Sequence, residues 1–124
     1  MLRSWLAPLL FVGLLAPFAA CGPRATPEQC VAMCSHSIKV NGYAGADKGV
    51  ASSGLEGELL DKAQTEARAQ VDQALVDAQA GKGALGESYK SCVQACNDGP
   101  PSKEIVDCVL AATTGDAINA CVQR

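Results

Sequence analysis

The sequence predicts an all-α protein, a small disulfide-stapled bundle of about four to five helices. Beyond residue 26, apolar residues recur at steps of three and four, which is the spacing of one helix face. No alternating run of β-branched residues is present that would predict a strand. Six cysteines follow residue 26, and small domains with a thin apolar core commonly depend on disulfides.

The first predicted helix begins at a capping box, in which Thr26 caps, Pro27 takes the first position and Gln29 completes the motif. One face of this helix carries Cys30, Cys34 and Ile38. We expect it to end near Asn41-Gly42. Residues 42–54 are mostly Gly, Ala and Ser, so we interpret them as a flexible loop and a tolerated insertion.

A second, long helix is expected from a further capping box at Ser53 and Glu56 to about Ala80, before Gly81-Lys82-Gly83. Its apolar seam comprises Leu60, Ala63, Ala67, Val71, Ala74 and Ala78. We expect this seam to pack inside the domain rather than on a partner, because the rest of the core is thin.

Three shorter helices are predicted in the remainder of the chain. The third carries Leu85, Tyr89, Cys92 and Cys96 on one face. Ser102 can cap a fourth, which contains Ile105, Cys108, Val109 and Ala112. After a turn at 113–115, a last helix carries Ile118, Cys121 and Val122.

Four cysteines form two CxxxC pairs, Cys30 with Cys34 and Cys92 with Cys96. On a helix, residues i and i+4 point the same way, so two such helices can be joined by two bridges. This resembles the twin-CX3C hairpins of small disulfide-rich helical proteins, although the connecting segment here is much longer. Antiparallel helices would pair Cys30–Cys96 and Cys34–Cys92, and parallel helices would pair Cys30–Cys92 and Cys34–Cys96. We favour the antiparallel arrangement.

The remaining pair, Cys108 and Cys121, lies on either side of the turn at 113–115, and we expect the two to bridge. Closing this short loop would contribute about 3 kcal/mol, and a bridge between the first and third helices about 4 kcal/mol. Six cysteines allow 15 pairings, so the favoured set is a geometric prediction.

The first 20 residues have the pattern of a secretory signal peptide. A basic start with Arg3 precedes a short apolar run, which ends in small residues. The run is shorter than the about 20 apolar residues that a membrane-spanning helix needs. Phe18-Ala19-Ala20-Cys21 resembles the lipobox of bacterial lipoproteins, with Phe18 where that family prefers an aliphatic residue. The resemblance implies cleavage before Cys21 and attachment of diacylglycerol to its thiol.

The cysteine count agrees with this interpretation, because seven is odd and removing Cys21 leaves six that can pair completely. We therefore expect a signal peptide at 1–20, a lipidated tether at 21–25 and a cysteine-rich helical domain at 26–124. Two or three acyl chains hold a protein stably on a membrane. Gly22 does not match the inner-membrane retention signal of the Gram-negative family, so the resemblance implies an outer-membrane protein facing the periplasm.

The end of the chain, with Cys92-x₃-Cys96, Asp107-Cys108-Val109-Leu110-Ala111-Ala112 and Cys121, resembles short cysteine-rich lipoproteins of myxobacteria and their relatives. The resemblance covers about the last third of the chain. It implies a helical fold, and it indicates no activity because none is assigned to that group.

No catalytic, cofactor or metal site is expected from the sequence. Cys30, Cys34 and His36 match neither the haem-attachment spacing nor a complete zinc set, and export favours oxidised cysteines. His36, the sole histidine, is expected at the surface or at a helix end. Scattered basic residues and a net charge of −3 argue against nucleic acid as a partner.

We therefore expect a non-enzymatic envelope lipoprotein, with membrane lipid bound through Cys21 and an envelope protein as a further partner. The alternative is a thiol-redox or metal-handling envelope protein that uses the CxxxC pairs.

Overall fold

The computed structural model describes residues 22–124, so the predicted leader and Cys21 lie outside the described residues. The described chain forms five helices and no strand, which confirms the all-α prediction. The helices are α1 (Pro27–Ala51), α2 (Gly57–Gln79), α3 (Gly86–Asp98), α4 (Lys103–Ala111) and α5 (Gly115–Val122).

Helix α1 begins where the sequence predicts. The backbone amide of Gln29 donates to the Thr26 hydroxyl at 3.2 Å, and the Thr26 amide donates back to the Gln29 side chain at 2.9 Å. This reciprocal pair satisfies two backbone amides that a bare helix terminus would leave without partners. Ser102 and Thr114 likewise cap α4 and α5 through their hydroxyl groups.

The predicted end of α1 and the flexible loop at 42–54 are wrong, because the helix continues through this segment to Ala51. Three glycines lie in the continued part, and each costs a helix about 1 kcal/mol relative to alanine. Contacts with α2 offset that cost. Gly42 lies so close to Val71 that an added Cβ would stand 2.5 Å from its Cγ1 atom. Local propensity at 42–51 is therefore overridden by packing.

The second predicted capping box does not form either. Helix α2 begins at Gly57, after an N-cap residue, Glu56, whose side chain makes no capping hydrogen bond. The Ser53 hydroxyl instead donates to the carbonyl of Val50, in the last turn of α1. Ser53 thus helps to end the first helix and does not start the second.

Helices α1 and α2 form a long antiparallel hairpin, and the predicted α2 seam faces α1. Ala78 is buried and the other five seam residues are half-buried, which confirms that the seam packs within the domain. Contacts between the two helices run in opposite order along the chain, since Tyr43 meets Asp72 and Asp47 meets Arg68.

The core surrounds the N-terminal half of α1. Helices α3, α4 and α5 all pack on α1, and α2 also packs on α3. Buried residues form three clusters, and each cluster contains at least one cysteine. The largest fully buried side chains are Val106, Val109, Cys30 and Cys34. Disulfide sulfur atoms and small aliphatic side chains thus supply the interior that aromatic residues supply in larger domains.

Candidate functional site

Two disulfides join α1 to α3 as successive rungs, Cys30–Cys96 and Cys34–Cys92. Their Cα atoms lie 5.6 and 6.0 Å apart, within the usual range for a disulfide. This is the pairing favoured for antiparallel helices. The third disulfide, Cys108–Cys121, joins α4 to α5 as predicted, with a Cα separation of 5.8 Å.

The burial of the rungs bears on what the CxxxC motifs can do. Cys30 and Cys34 are 0% exposed and Cys96 is 7% exposed. Each motif is bridged across helices, so the two cysteines of one motif do not pair with each other. Cys92 is half-buried. A catalytic or metal-binding thiol has to be deprotonated and accessible, whereas three of these four cysteines lie in the core and all four are in disulfides. In this arrangement the two motifs hold α1 and α3 together.

The segment before α1 is fixed to the domain. The backbone amide of Ala25 donates to the carbonyl of Pro101 at 2.8 Å, and the Lys103 amide donates to the carbonyl of Pro23 at 2.9 Å. These bonds form an isolated antiparallel bridge centred on Arg24 and Ser102. The proposed tether at 21–25 therefore has the wrong boundary, because residues 23–25 belong to the fold. We call this arrangement the N-terminal clamp.

Five polar and aromatic residues join α1 to α2 halfway along the hairpin: Lys39, Tyr43, Asp47, Arg68 and Asp72. The Tyr43 hydroxyl donates to Asp72 at 2.7 Å. Arg68 holds Asp47 through two N–H groups, one of them at 2.9 Å. Lys39 and Arg68 also make cation–π contacts with the ring of Tyr43, at 5.3 and 5.1 Å from its centroid. We call these five residues the Tyr43 cluster.

The Tyr43 cluster shifts the pKa of its ionisable members in the direction expected for ion pairs. The hydrogen bond from Tyr43 and the neighbouring Lys39 lower the pKa of Asp72. The Arg68 guanidinium lowers the pKa of Asp47, and Asp47 in turn raises the pKa of Arg68. These groups are solvent-exposed, so the shifts mark a surface network of pairs that helps to align the two helices.

A shallow groove runs along α1 beside the Tyr43 cluster, with a volume of about 500 Å³. Arg68 borders it on one side, and the turn between α4 and α5 borders it on the other at Ala112 and Thr113. His36 lines its floor, and its Nε2 donates to the Ala112 carbonyl at 2.7 Å, since a carbonyl can only accept. The imidazole thereby fastens the α4–α5 turn to α1.

His36 thus lies in the middle of a continuous helix, so the expected helix-end position is wrong, whereas its half-buried place in an open groove leaves it partly at the surface. The Tyr43 cluster itself was missed by the sequence reasoning, because its α1 members fall in the segment interpreted as a loop. A usable signal was present. Lys39, Tyr43 and Asp47 are spaced i, i+4 and i+8, which places them on one face if the segment is helical.

Within residues 22–124, no group of three or more His, Cys, Asp or Glu side chains is arranged to hold a metal ion. In the same part of the chain, no helix combines the length and the apolar character needed to cross a membrane. Comparison with known proteins finds no matching family model, no similar curated protein and no similar solved structure.

Proposed function

We propose that this chain is a bacterial lipoprotein whose helical domain is a non-enzymatic partner-binding module, held at the membrane by lipid on Cys21. The proposal joins the lipobox-like sequence Phe18-Ala19-Ala20-Cys21 to a domain in which all six remaining cysteines pair. The lipid would be the diacylglycerol, with a further acyl chain on the new amino group. The outer membrane is the expected location, with the domain in the periplasm.

The N-terminal clamp is the observation that supports this function most directly. It fixes residues 23–25 against 101–103, so only Gly22 separates Cys21 from the folded domain. A lipid on Cys21 would therefore be attached next to a rigid structure. A flexible linker would let the domain reach away from the membrane, whereas this connection keeps the base of the bundle close to it.

The proposal is tested by labelling cells that express the full chain with a palmitate analogue, and by mass spectrometry of the N-terminal peptide. We expect the label on the wild-type protein, a mature chain that begins at acylated Cys21, and recovery in the membrane fraction. The Cys21→Ser variant should carry no label. The matched control is Cys108→Ser/Cys121→Ser, which removes two other cysteines and should retain the label.

An unlabelled wild-type protein, or a Cys21→Ser variant that keeps its label, would contradict lipidation at this residue. Thiol counting on denatured Cys21→Ser protein separates the partner-binding function from the thiol-redox or metal-handling alternative. Zero free thiols and no bound zinc support the proposed function. Two or more reactive thiols, or bound zinc, would support the alternative instead.

A further inference from the structure

The third disulfide, Cys108–Cys121, differs from the two rungs in how it can be approached. Cys108 is half-buried, and both cysteines line two shallow grooves, of about 260 and 320 Å³. Four alanines and Arg124 complete the lining of the larger one, which we call the alanine groove. Because the alanine side chains are short, a thiol can approach the bridge through this groove.

Helix α5 depends on this bridge for its attachment. It packs on α4 and α1 and on no other helix. Within residues 22–124, no hydrogen bond or ion pair joins α5 to another helix, so apolar contacts of Ala117 and Ile118 and the approach of Gly115 to Asn41 are its other attachments. A helix of eight residues is too short to be stable in isolation. Opening the bridge should therefore leave α5 weakly held.

Helix α4, in contrast, is held at both ends without the bridge. The N-terminal clamp fixes its start at Lys103, and His36 fastens its end through the carbonyl of Ala112. Between these points Val106 and Val109 are buried in the core. Loss of the bridge should therefore free α5 alone, with the turn at 113–114 as the hinge.

The rungs are protected in a way that the third disulfide is not. Cys92 is also half-buried, but its partner Cys34 is 0% exposed. The rung Cys30–Cys96 lies one helical turn away and would keep Cys34 beside Cys92 after an attack, so the bond would re-form at a high effective concentration. Among the disulfides of the described chain, Cys108–Cys121 alone joins α4 to α5. A reductant should thus open it first.

We propose that Cys108–Cys121 is a thiol–disulfide exchange site, opened by a dithiol reductant that enters the alanine groove, and that its reduction releases α5 from α4 and α1. Release uncovers apolar side chains that pack with α5, including Val109 and Val40, while the rungs keep the remainder folded. The inference goes beyond the proposed function and does not depend on the lipid. It makes the chain a substrate of exchange and assigns it no catalysis.

The exchange consists of two displacements at sulfur. A thiolate of the reductant attacks Sγ of Cys108, the more exposed partner, and the electron pair of the S–S bond leaves with Sγ of Cys121, which takes up a proton. The Ala117 carbonyl, 3.2 Å away, can accept the new S–H. The second thiol of the reductant loses its proton and attacks the reductant sulfur of the mixed disulfide, so that Cys108 leaves and is protonated. The bridge gains two electrons and two protons, and the dithiol becomes a disulfide.

The first test treats the purified, full-length, lipidated protein in detergent with dithiothreitol, and locates free thiols over time by alkylation and peptide mapping. We expect label at Cys108 and Cys121 about tenfold sooner than at the rung cysteines. The variant Ala111→Leu/Ala120→Leu narrows the alanine groove and leaves the bridge in place, so labelling of Cys108 should slow about threefold.

The matched control for the narrowed groove is Ala32→Leu/Ala95→Leu. It adds the same side-chain volume at exposed positions of α1 and α3, outside the alanine groove. Its third disulfide should open at the rate of the wild type.

Hydrogen exchange then measures the release of α5. The amides of Ile118 and Cys121 should exchange about tenfold faster once the bridge is open, while those in the N-terminal half of α1 stay slow. Cys108→Ala/Cys121→Ala should show the fast exchange without reductant. Cys34→Ala/Cys92→Ala, which loses a rung instead, should keep slow exchange in α5.

Four outcomes would each overturn the proposal: equal labelling of all six cysteines, earlier opening of a rung, unchanged labelling of Cys108 in the narrowed groove, or slow exchange in α5 after the bridge has opened. The same peptide map reports on Cys21 separately. A free thiol at Cys21 would reject lipidation and leave the exchange site intact, whereas an acylated Cys21 beside a resistant third disulfide would reject the exchange site alone.

Discussion

The backbone amide of Ala25 donates a hydrogen bond to the carbonyl of Pro101 at 2.8 Å, although the two residues are far apart in the sequence. With the bond from Lys103 to Pro23, it fixes the chain that precedes α1 onto the start of α4. The proposed lipid on Cys21 would therefore be positioned relative to the bundle by two backbone hydrogen bonds that link distant parts of the chain.

The N-terminal clamp can be tested by removing one donor. Lys103 is the first residue of α4, where proline is tolerated, and Ser102 already has the extended backbone that precedes proline. We expect Lys103→Pro to leave α4 intact and to speed hydrogen exchange of the Ala25 amide about fivefold, because the neighbouring hydrogen bond from Lys103 to Pro23, worth about 1 kcal/mol, is lost.

Lys103→Ala is the control for that substitution. It removes the side-chain ion pair with Asp107 but keeps the backbone donor, so the exchange of the Ala25 amide should stay slow. Leu55, whose amide has only a 3.5 Å contact with Ser53, provides a fast-exchanging reference in the same molecule. Exchange of Ala25 as fast as that of Leu55 in the wild type would rule out the clamp.

The two rungs should contribute to stability in a way that depends on the order of their removal. While one rung remains, removing the other frees a closed loop of only about 10 residues, at a cost of about 3 kcal/mol. Removing the remaining rung then frees a loop with a sequence separation of 66 or 58, at a cost of about 4 kcal/mol.

The measurement is denaturant unfolding of Cys30→Ala/Cys96→Ala, of Cys34→Ala/Cys92→Ala and of the variant that combines them. The lost sulfur packing is the same in either order, so the excess cost of the second removal reports the loop entropy. If the losses of unfolding free energy in the two double variants simply added up in the combined variant, the two disulfides would not be successive links between the same two helices.

The glycines of α1 provide a direct test of the helical segment that replaces the expected loop. No atom beyond the local chain lies within 4 Å of an added Cβ at Gly45 or at Gly49. Gly45→Ala and Gly49→Ala should each stabilise the protein by about 0.5–1 kcal/mol, because alanine favours the helix. Gly42→Ala should destabilise it, since the new Cβ meets Val71.

Thermal unfolding of the three variants measures these effects. The double variant Gly42→Ala/Val71→Ala should recover part of the loss, because it removes the atoms that clash. If alanine at position 42 raised the melting temperature as much as alanine at 45 or 49, the close approach of α1 to α2 would be incorrect.

Acid should weaken the hairpin through Asp72. Its pKa lies below the ordinary value of 3.8 in the folded protein, first because of Tyr43 and then because of Lys39. The unfolded chain therefore takes up the proton first as pH falls. The contribution of Asp72 is present above pH 3.8 and is lost as pH falls through the lower folded-state pKa.

Titration of side-chain carboxyl signals by NMR measures this shift. In Tyr43→Phe the pKa of Asp72 should rise towards 3.8, because the hydrogen bond from the hydroxyl is gone. Asp47 is an internal control, since its pKa is lowered by Arg68 and should stay low in the same variant. An unchanged pKa at Asp72 would exclude the hydrogen bond from Tyr43.

The cysteine pairing shows how far spacing alone can predict the fold. Two i, i+4 pairs predict a two-rung connection between two helices, and only the relative direction of the helices is left open. In the structure α2 runs antiparallel to α1, and α3 keeps the general direction of α2 after the break that follows Gln79, so α1 and α3 are antiparallel. The course of the chain at that break is a property of the whole bundle. The antiparallel set Cys30–Cys96 and Cys34–Cys92 was favoured, and the structure has it.

The sequence by itself determined the helix starts at Thr26 and Ser102, the apolar seam of α2, and the cysteines available for bridging. These features depend on neighbours within one or two turns, so short-range patterns are sufficient to identify them. Only the tertiary structure decided that residues 42–51 are helical and that residues 23–25 belong to the domain. Both depend on contacts with residues far along the chain. For 42–51, packing against α2 offsets an unfavourable glycine content. For 23–25, the segment at 101–103 supplies the backbone hydrogen-bond partners.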